Sequence, residues 1–261
     1  MASVPRVIIQ THGPARPEDC HAWAREAMQK LVHDNPGFTH AYYSHAAREE
    51  YIRQTMPEAL RAYRAINKQQ PQAQSDLFRY IRMYAEGGVY LDSCCCLKYP
   101  LEEVIALAQR GDGKKAVLAH WGGYTSRGEL CCPWKHVKGI PDKGEFIIFC
   151  LIAPPRHPLF KRVVQAVIDR IIGQLENTRR RIHGAYGVLH TTGPIVYTRE
   201  AVKFMAEEGN EDLVAVHDCI DELGVIHHKA WPKIKWAVPH RKVPSHYALR
   251  KNRKVPVVIG D

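Results

Sequence analysis

Asp92, near the middle of the chain, has the residue type and the position of a ligand-binding residue, and the segment before it carries Asp76 and Arg79. Asp76 and Arg79 are one helical turn apart in a segment of helical period, so both side chains can face the same side. Asp92 directly follows the apolar run 89–91, where a short buried strand leaves the core. Because ligands of open α/β sheets bind beyond the carboxyl ends of strands, Asp92 is the first candidate site residue. A carboxylate in this place can coordinate a divalent cation.

The elements that must position these residues follow from the local pattern. Leu77, Ile81 and Tyr84 recur at helical spacing, and Gly87-Gly88 ends that helix because glycine enters the left-handed region without strain. Strand-like runs alternate with helical segments along the chain, which predicts an α/β fold. The predicted strands are 4–10, 38–43, 89–91, 116–120, 145–153, 213–217 and 225–228. The other predicted helices are 17–32, 48–55, 57–66, 102–109, 157–172 and 195–207.

Size and charge limit the classes of protein that fit the chain. The 261 residues are 45% hydrophobic and show no internal repeat or linker, so one domain over 1–261 is expected. The formal charge of +10 suits an anionic partner such as a nucleotide, a nucleic acid or an acidic membrane surface, the alternative being a solvated basic face. No stretch is long and apolar enough for a membrane span or a signal peptide. We therefore expect a soluble, cytoplasmic protein, in the host cytoplasm if the source is viral.

The eight cysteines do not have the spacing of a metal knuckle or of a disulfide framework. They occur as the run 94–96, the pair 131–132 and three single residues, and no CxxC pair is present. We expect reduced, mostly buried thiols in an intracellular protein. The irregular stretch 120–143, which is dense in Gly, Pro, Trp and Cys, is predicted to be an active-site or binding loop. His227 and His228 are interpreted as residues that flank a strand.

One long pattern goes beyond these general features. The segment DLFRYIRMYAEGGVYLDSC at residues 76–94 resembles the DLxRYxxLYxxGGxYLDxD pattern of the DXD-type sugar-nucleotide glycosyltransferases. That family includes the initiating α-1,6-mannosyltransferase and capsular and toxin-like sugar transferases. Weaker similarities to it are VPRVIIQTH at 4–12, APPRHP at 153–158 and TTGP at 191–194.

The resemblance implies a fold, an activity and a set of site residues. The fold would be GT-A, a Rossmann-like mixed sheet flanked by helices, in which a nucleotide sugar binds. The activity would be transfer of a hexosyl or pentosyl group from a UDP-sugar first, or a GDP-sugar second, to a hydroxyl of a glycan or glycosylated acceptor. The implied catalytic residues are Asp92, Asp76 and Arg79. The implied substrate-binding residues are Gln10, Thr11, Tyr80, Gly88, Tyr90, Thr192 and Gly193.

The resemblance also implies a metal, and here the sequence departs from the family. Mn²⁺ or Mg²⁺ prefers oxygen ligands and neutralises a leaving diphosphate, with Asp92 and His246 as the implied protein ligands. Cys94 stands where the pattern has its second aspartate. A neutral thiol is a poor ligand for Mn²⁺, and a thiolate favours softer metals such as Zn²⁺. Three alternatives follow: metal held by Asp92, donor phosphates, water and His246; charge compensation by lysines and arginines of 229–242; or weak or absent activity.

Two functions of other classes remain as alternatives. Cys94 suggests a catalytically inactive module that binds a nucleotide sugar, which release of nucleotide from the donor would exclude. The charge of +10 suggests a nucleic-acid-binding protein. The chain lacks paired zinc ligands, RNP aromatics and a basic helix with heptads, so we expect no nucleic acid partner.

Overall fold

A six-stranded mixed sheet lies at the centre of the protein, with helices on both faces. The computed structural model describes residues 3–109, 115–121, 138–141, 144–227 and 255–259. The strands are β1 Val7–Thr11, β2 Thr39–Tyr43, β3 Gly88–Leu91, β4 Cys95–Leu97, β5 Ala116–His120, β6 Cys150–Ala153, β7 Val214–Asp218 and β8 Val225–His227. The helices are α1 Ala22–His33, α2 His45–Thr55, α3 Leu60–Ala65, α4 Pro71–Glu86, α5 Leu101–Gln109, α6 Pro158–Glu176, α7 Gly184–Thr191 and α8 Pro194–Met205.

The order of the strands brings several carboxyl ends to one edge. The order is β2-β1-β3-β6-β5-β7, in which β6 runs antiparallel to both of its neighbours. The pairs β1–β2, β1–β3 and β5–β7 are parallel. The ends of β1, β2 and β3 therefore meet at the edge where α/β sheets bind ligands. A separate antiparallel ribbon joins β4 to β8, with Cys95 opposite His227.

The two faces of the sheet bury different side chains because neighbouring residues of a strand point to opposite sides. Ile9 and Tyr90 pack on the face covered by α4, α6 and α8. Val89 and Leu91 pack on the other face, which α1 and α5 cover. Asp92 follows Tyr90 by two residues and returns to the α4 face, as its contact with that helix shows.

Helix α4 is enclosed on nearly all sides, and its sequence accounts for both of its ends. Pro71 is its first residue, where the missing N–H costs no intrahelical bond. Gly87 follows the last residue with a φ of 65°, in the left-handed region that favours glycine. Asp76, Arg79 and Arg82 are buried along the helix together with its apolar residues. A helix that buries charges must pair them, and this requirement shapes the site described below.

Substitution of Gly87 by alanine is expected to lower the free energy of unfolding by about 2–4 kcal/mol. A Cβ at this position would lie 2.6 Å from the Ala153 carbonyl oxygen and 2.6 Å from the Pro155 nitrogen, and backbone atoms cannot move aside as a flexible side chain can. Gly173, inside α6 with open space around it, is the matched control, and Gly173→Ala should stabilise by up to about 1 kcal/mol. Urea denaturation measures both variants; equal effects would contradict the packing argument.

The predicted α/β class is confirmed, and the differences lie in single elements. The apolar stretch 145–153 was predicted to be one strand, but only Cys150–Ala153 is strand. Phe146, Ile147 and Phe149 are buried in irregular backbone, so the apolar run reflects burial and not an extended conformation. β4 and α7 were not predicted.

Other sequence predictions concern the thiols, the long loop and the membrane. The six cysteines within the described part of the chain are all free and buried. Most of the predicted loop 120–143 and the basic stretch 229–254 lie outside the described residues. None of the helices in the described ranges combines the length and the apolar character that a membrane crossing requires.

Candidate active site

A buried arginine between two carboxylates forms the centre of the site. Arg79 Nη2 lies 3.1 Å from Asp76 Oδ1, and Arg79 Nη1 lies 3.2 Å from Asp92 Oδ1. Arg79 Nη1 also donates to the Ile148 carbonyl oxygen at 2.6 Å. Burial disfavours the Arg79 cation, yet Tyr90, Asp92 and Asp76 together raise its pKa. The planar guanidinium thereby fixes the two carboxylates relative to each other.

Tyr90 completes this network from the sheet. Its hydroxyl donates to Asp92 Oδ1 at 2.9 Å, and the guanidinium carbon of Arg79 lies 4.6 Å from its ring centroid. Burial raises the pKa of Tyr90 well above its ordinary value, so the hydroxyl keeps its proton and acts as a donor. Asp92 is thus held by Arg79 and Tyr90 through one oxygen, while its side chain keeps 27% exposure. The other oxygen is available to a ligand or a metal.

A threonine also holds Asp76 in place. Thr192 Oγ1, at the end of α7, donates to Asp76 Oδ2 at 3.0 Å. Burial raises the pKa of Asp76 to about 7, while Arg79 and Thr192 oppose the shift. The carboxylate therefore titrates near neutral pH, a property that buried functional groups often share.

This shift predicts a pH dependence of stability. Because the pKa of Asp76 in the folded protein lies above its ordinary value of 3.8, the folded state binds the proton more tightly than the unfolded chain. The contribution is complete below about pH 4 and is lost as the pH rises through about 7, with a slope of up to about 1.4 kcal/mol per pH unit. In urea denaturation at several pH values, wild type should lose stability relative to Asp76→Asn as the pH rises. For Asp169→Asn, on the exposed surface of α6, the free energy of unfolding should follow that of wild type at every pH. A difference in stability between Asp76→Asn and wild type that does not change with pH would contradict the raised pKa.

Three possible metal ligands converge beside this network. His227 Nε2 lies 3.2 Å from Cys94 Sγ and 3.7 Å from Asp92 Oδ2, and one donor atom from each residue lies within 4.8 Å of the others. The ribbon β4–β8 brings His227 to this place, and Phe149 packs against its ring with centroids 4.9 Å apart. The cluster can hold a divalent metal. Its sulfur and nitrogen donors suit borderline ions better than Mg²⁺ or Mn²⁺, which prefer oxygen.

A second buried cation, Arg48 of α2, lies close to the same network. It is fully buried, and its Nη1 donates to Ser75 Oγ. Among the residues that the structure describes, its Nε and Nη2 have no hydrogen-bond partner. Burial lowers the pKa of Arg48, and its charge acts on Asp76 and on His12, which follows β1. Buried N–H groups of a cation need acceptors, and a bound anionic ligand would supply them.

Of the remaining predicted substrate residues, Gln10 contacts Asp92 directly. Gln10 Nε2 donates to the Asp92 carbonyl oxygen at 3.4 Å, and Thr11 Oγ1 donates to the Tyr43 carbonyl at 2.7 Å. Tyr80 is fully buried and stacks on Tyr197, so its ring lies in the core between α4 and α8. Gly88 packs its Cα against β1, and Gly193 precedes the first turn of α8. His246, the predicted second metal ligand, lies outside the described residues.

Two residues of this region were missed by the sequence analysis. His227 was interpreted as flanking a strand, but it lies within β8 and contacts both Cys94 and Asp92. Arg48 sits in a stretch rich in charges, HAAREE, which is typical of a solvent-exposed helix. The alternation of side chains within β8 does not indicate that His227 belongs to a site. Its contact with Cys94 depends on the pairing of β8 with β4, a strand about 130 residues earlier in the sequence.

Comparisons with known proteins agree with the pattern that pointed to this site. Residues 22–110 match the family model described as the glycosyltransferase sugar-binding region containing a DXD motif. The match includes α4 and β3, and with them Asp76, Arg79, Tyr90 and Asp92. A search of curated protein sequences gave no significant match.

The fold is also similar to solved glycosyltransferases. It resembles the PaToxG glycosyltransferase with a TM-score of 0.52 and 12% identity, over 81% of this chain and 73% of that one. It resembles the UDP-bound glycosyltransferase domain of the YGT toxin with a TM-score of 0.51 and 9% identity, over 82% of this chain and 79% of that one. Residues 22–110 are thus similar to the sugar-binding region of DXD-containing glycosyltransferases, and the likeness to these solved structures confirms the predicted GT-A fold.

Proposed function

We propose that the protein is a glycosyltransferase that moves a sugar from a UDP-sugar to a hydroxyl of a glycan or glycosylated acceptor. The observation that carries this proposal is the ion-pair network Asp76–Arg79–Asp92 at the carboxyl end of β3, within the residues that match the sugar-binding region. The uridine nucleotide is favoured over GDP because one of the similar folds was solved with UDP bound. Dependence on a divalent metal and a role in glycan synthesis belong to the same proposal.

The proposed roles follow from the polarity of each group. Asp76 accepts hydrogen bonds from hydroxyls of the donor sugar, and Arg79 donates to them, while each holds the other in place. Gln10 and Tyr90 lie on the adjoining strands β1 and β3, where the nucleotide would bind. In the proposed reaction the anomeric C–O bond to the diphosphate breaks and a bond to the acceptor oxygen forms. The leaving phosphate oxygen takes the acceptor proton, so the proposal needs no separate general base.

The leaving diphosphate needs positive charge beside it. In this proposal a divalent ion held by Asp92 and the guanidinium of Arg48 would supply that charge. A divalent ion bound at Asp92 would act as a Lewis acid on the leaving group. Mn²⁺ or Mg²⁺ would depend on Asp92, donor phosphates and water, because Cys94 and His227 offer sulfur and nitrogen. Arg48 adds a fixed cation whose Nε and Nη2 have no partner among the described residues.

Removal of the Arg48 charge should weaken nucleotide binding without weakening the fold. For Arg48→Met we expect the dissociation constant for UDP to rise about 10- to 100-fold, as for loss of a charge-assisted hydrogen bond. The free energy of unfolding of the free protein should stay the same or rise, because an incompletely bonded buried cation is removed. Calorimetric titration and urea denaturation measure the two effects. Arg53→Met, on the exposed side of α2, is the control; lower stability with unchanged UDP affinity would make Arg48 structural.

A thermal-shift panel tests the proposed donor class. UDP, GDP, several UDP-sugars and GDP-mannose are added separately, each with and without divalent metal, since a ligand that binds the folded state raises Tm. We expect the largest shifts with UDP and one UDP-sugar. Shifts in Tm with GDP compounds alone would identify a GDP-sugar as the donor. No shift with any nucleotide would contradict the proposal.

A further inference from the structure

The donor atoms beside Asp92 point to a metal preference that differs from the one the DXD pattern implies. We propose that Asp92, Cys94 and His227 form a mixed oxygen, sulfur and nitrogen site. This site binds ions such as Zn²⁺ and Co²⁺ in preference to Mn²⁺ and Mg²⁺. Use of this metal in catalysis rests on the proposed function, but metal binding itself can be measured without any donor.

The spacing of the donor atoms fits a small tetrahedral ion. Ligands about 2.0–2.3 Å from Zn²⁺ lie about 3.3–3.7 Å from one another in tetrahedral geometry. The separations of His227 Nε2 from Cys94 Sγ and from Asp92 Oδ2 are 3.2 and 3.7 Å. These two separations match those of a tetrahedral site, and the third, between the donors of Asp92 and Cys94, lies within 4.8 Å.

The chemistry of the donors decides which ion fits best. Thiolate sulfur and imidazole nitrogen bind Zn²⁺ and Co²⁺ strongly, whereas Mg²⁺ and Mn²⁺ favour carboxylate oxygen and water. A carboxylate and a thiolate together supply two negative charges, which balance a divalent cation in a largely buried place. Cys94 is 6% exposed, so its sulfur would hold an ion largely out of contact with water.

The surrounding elements hold the donors and leave one position open. Cys94 precedes β4 and His227 ends β8, so the ribbon between these strands sets their separation. The rings of Phe149 and Trp121 pack against His227, with centroids 4.9 and 6.1 Å from its own. Asp92 keeps 27% exposure, so a fourth ligand can approach from its open side. Three protein ligands with an open fourth position are the arrangement of catalytic zinc sites, and a donor phosphate or a water could fill it.

Cobalt spectroscopy tests this site on the full chain. The protein is stripped with chelator, reduced and titrated with Co²⁺, which reports thiolate ligation by a sulfur-to-metal charge-transfer band and tetrahedral geometry by intense visible bands. We expect both signals, complete displacement by equimolar Zn²⁺, and no displacement by Mn²⁺ or Mg²⁺ at about a hundredfold excess. Displacement of Co²⁺ by Mn²⁺ as readily as by Zn²⁺, or no Co²⁺ binding, would overturn the proposal.

Variants assign the signal to particular residues. Cys94→Ser should abolish the charge-transfer band and His227→Gln should weaken Co²⁺ binding, each with at least about a tenfold loss of affinity. Cys94→Asp should lose the band and gain affinity for Mn²⁺. Cys20→Ser and a Cys131→Ser/Cys132→Ser variant are controls that should keep the band; if the latter loses it while Cys94→Ser keeps it, the thiol ligand is assigned wrongly. Circular dichroism checks that each variant is folded. UDP binding is measured separately. Absence of Co²⁺ binding in a protein that binds UDP counts against the metal site alone, whereas absence of UDP binding counts against the proposed function.

Discussion

Substitution of Asp92 by asparagine is expected to lower the rate of nucleotide release from the donor by on the order of 10²–10³-fold. Asparagine keeps the shape of the side chain and can still accept the hydrogen bond from Tyr90. It loses the negative charge that faces Arg79 and the carboxylate oxygen offered to a metal. The effect should therefore appear in catalysis, with a loss of stability of only about 1–2 kcal/mol.

Steady-state kinetics and denaturation separate these effects for Asp92→Asn. Asp169→Asn, an exposed carboxylate of α6 bonded to Gln165, serves as the matched control and should behave as wild type in both assays. An Asp92→Asn protein that is folded and releases nucleotide at the wild-type rate would remove Asp92 from the site.

The second large effect is expected in stability and concerns Arg79. Above about pH 7, where Asp76 is ionised in the wild type, Arg79→Met should lower the free energy of unfolding by about 3–5 kcal/mol, because the buried carboxylate loses its cation. The Ile148 carbonyl oxygen also loses its donor. Arg79→Lys keeps the charge but not the planar fork that reaches both carboxylates, so we expect an intermediate loss.

A double-mutant cycle isolates the Arg79 pair. In Asp76→Asn/Arg79→Met both charges are absent, so the double variant should be more stable than the sum of the single losses predicts, by about 1–3 kcal/mol. Arg82→Met is the control on the same helix: Arg82 is also buried and also donates to a carbonyl oxygen, that of Gly87, but its carboxylate partner Glu86 is 52% exposed and can be solvated when unpaired. Additive losses in the cycle would show that Asp76 and Arg79 are not coupled.

Local signals in the sequence account for the part of the site on α4 and β3. Asp92 was predicted from the strand end, and Asp76 and Arg79 from the resemblance of residues 76–94 to the DXD-type pattern; the structure brings the three together. These features act within about twenty residues, so the sequence carries them directly. The same holds for Gly87, whose positive φ ends the helix as predicted.

Long-range pairing accounts for what the sequence did not reveal. His227 approaches Cys94 because β8 pairs with β4, and no local periodicity specifies that register. Arg48 is buried by the packing of α2 against α4, although its neighbours in the sequence are polar. The length of β6 was overestimated because buried loop residues such as Phe146 and Phe149 have the same apolar composition as a buried strand.

Nucleotide release from a UDP-sugar tests the central claim most directly. The full chain is incubated with a panel of UDP-sugars, with Zn²⁺, Mn²⁺ or chelator, and free UDP is measured over time against Asp92→Asn. We predict that wild type releases UDP from at least one sugar donor and that Asp92→Asn releases it at least about a hundredfold more slowly. Wild type that binds UDP but releases no UDP from any of the UDP-sugars would instead be an inactive nucleotide-sugar-binding module. That result would contradict the proposed transferase.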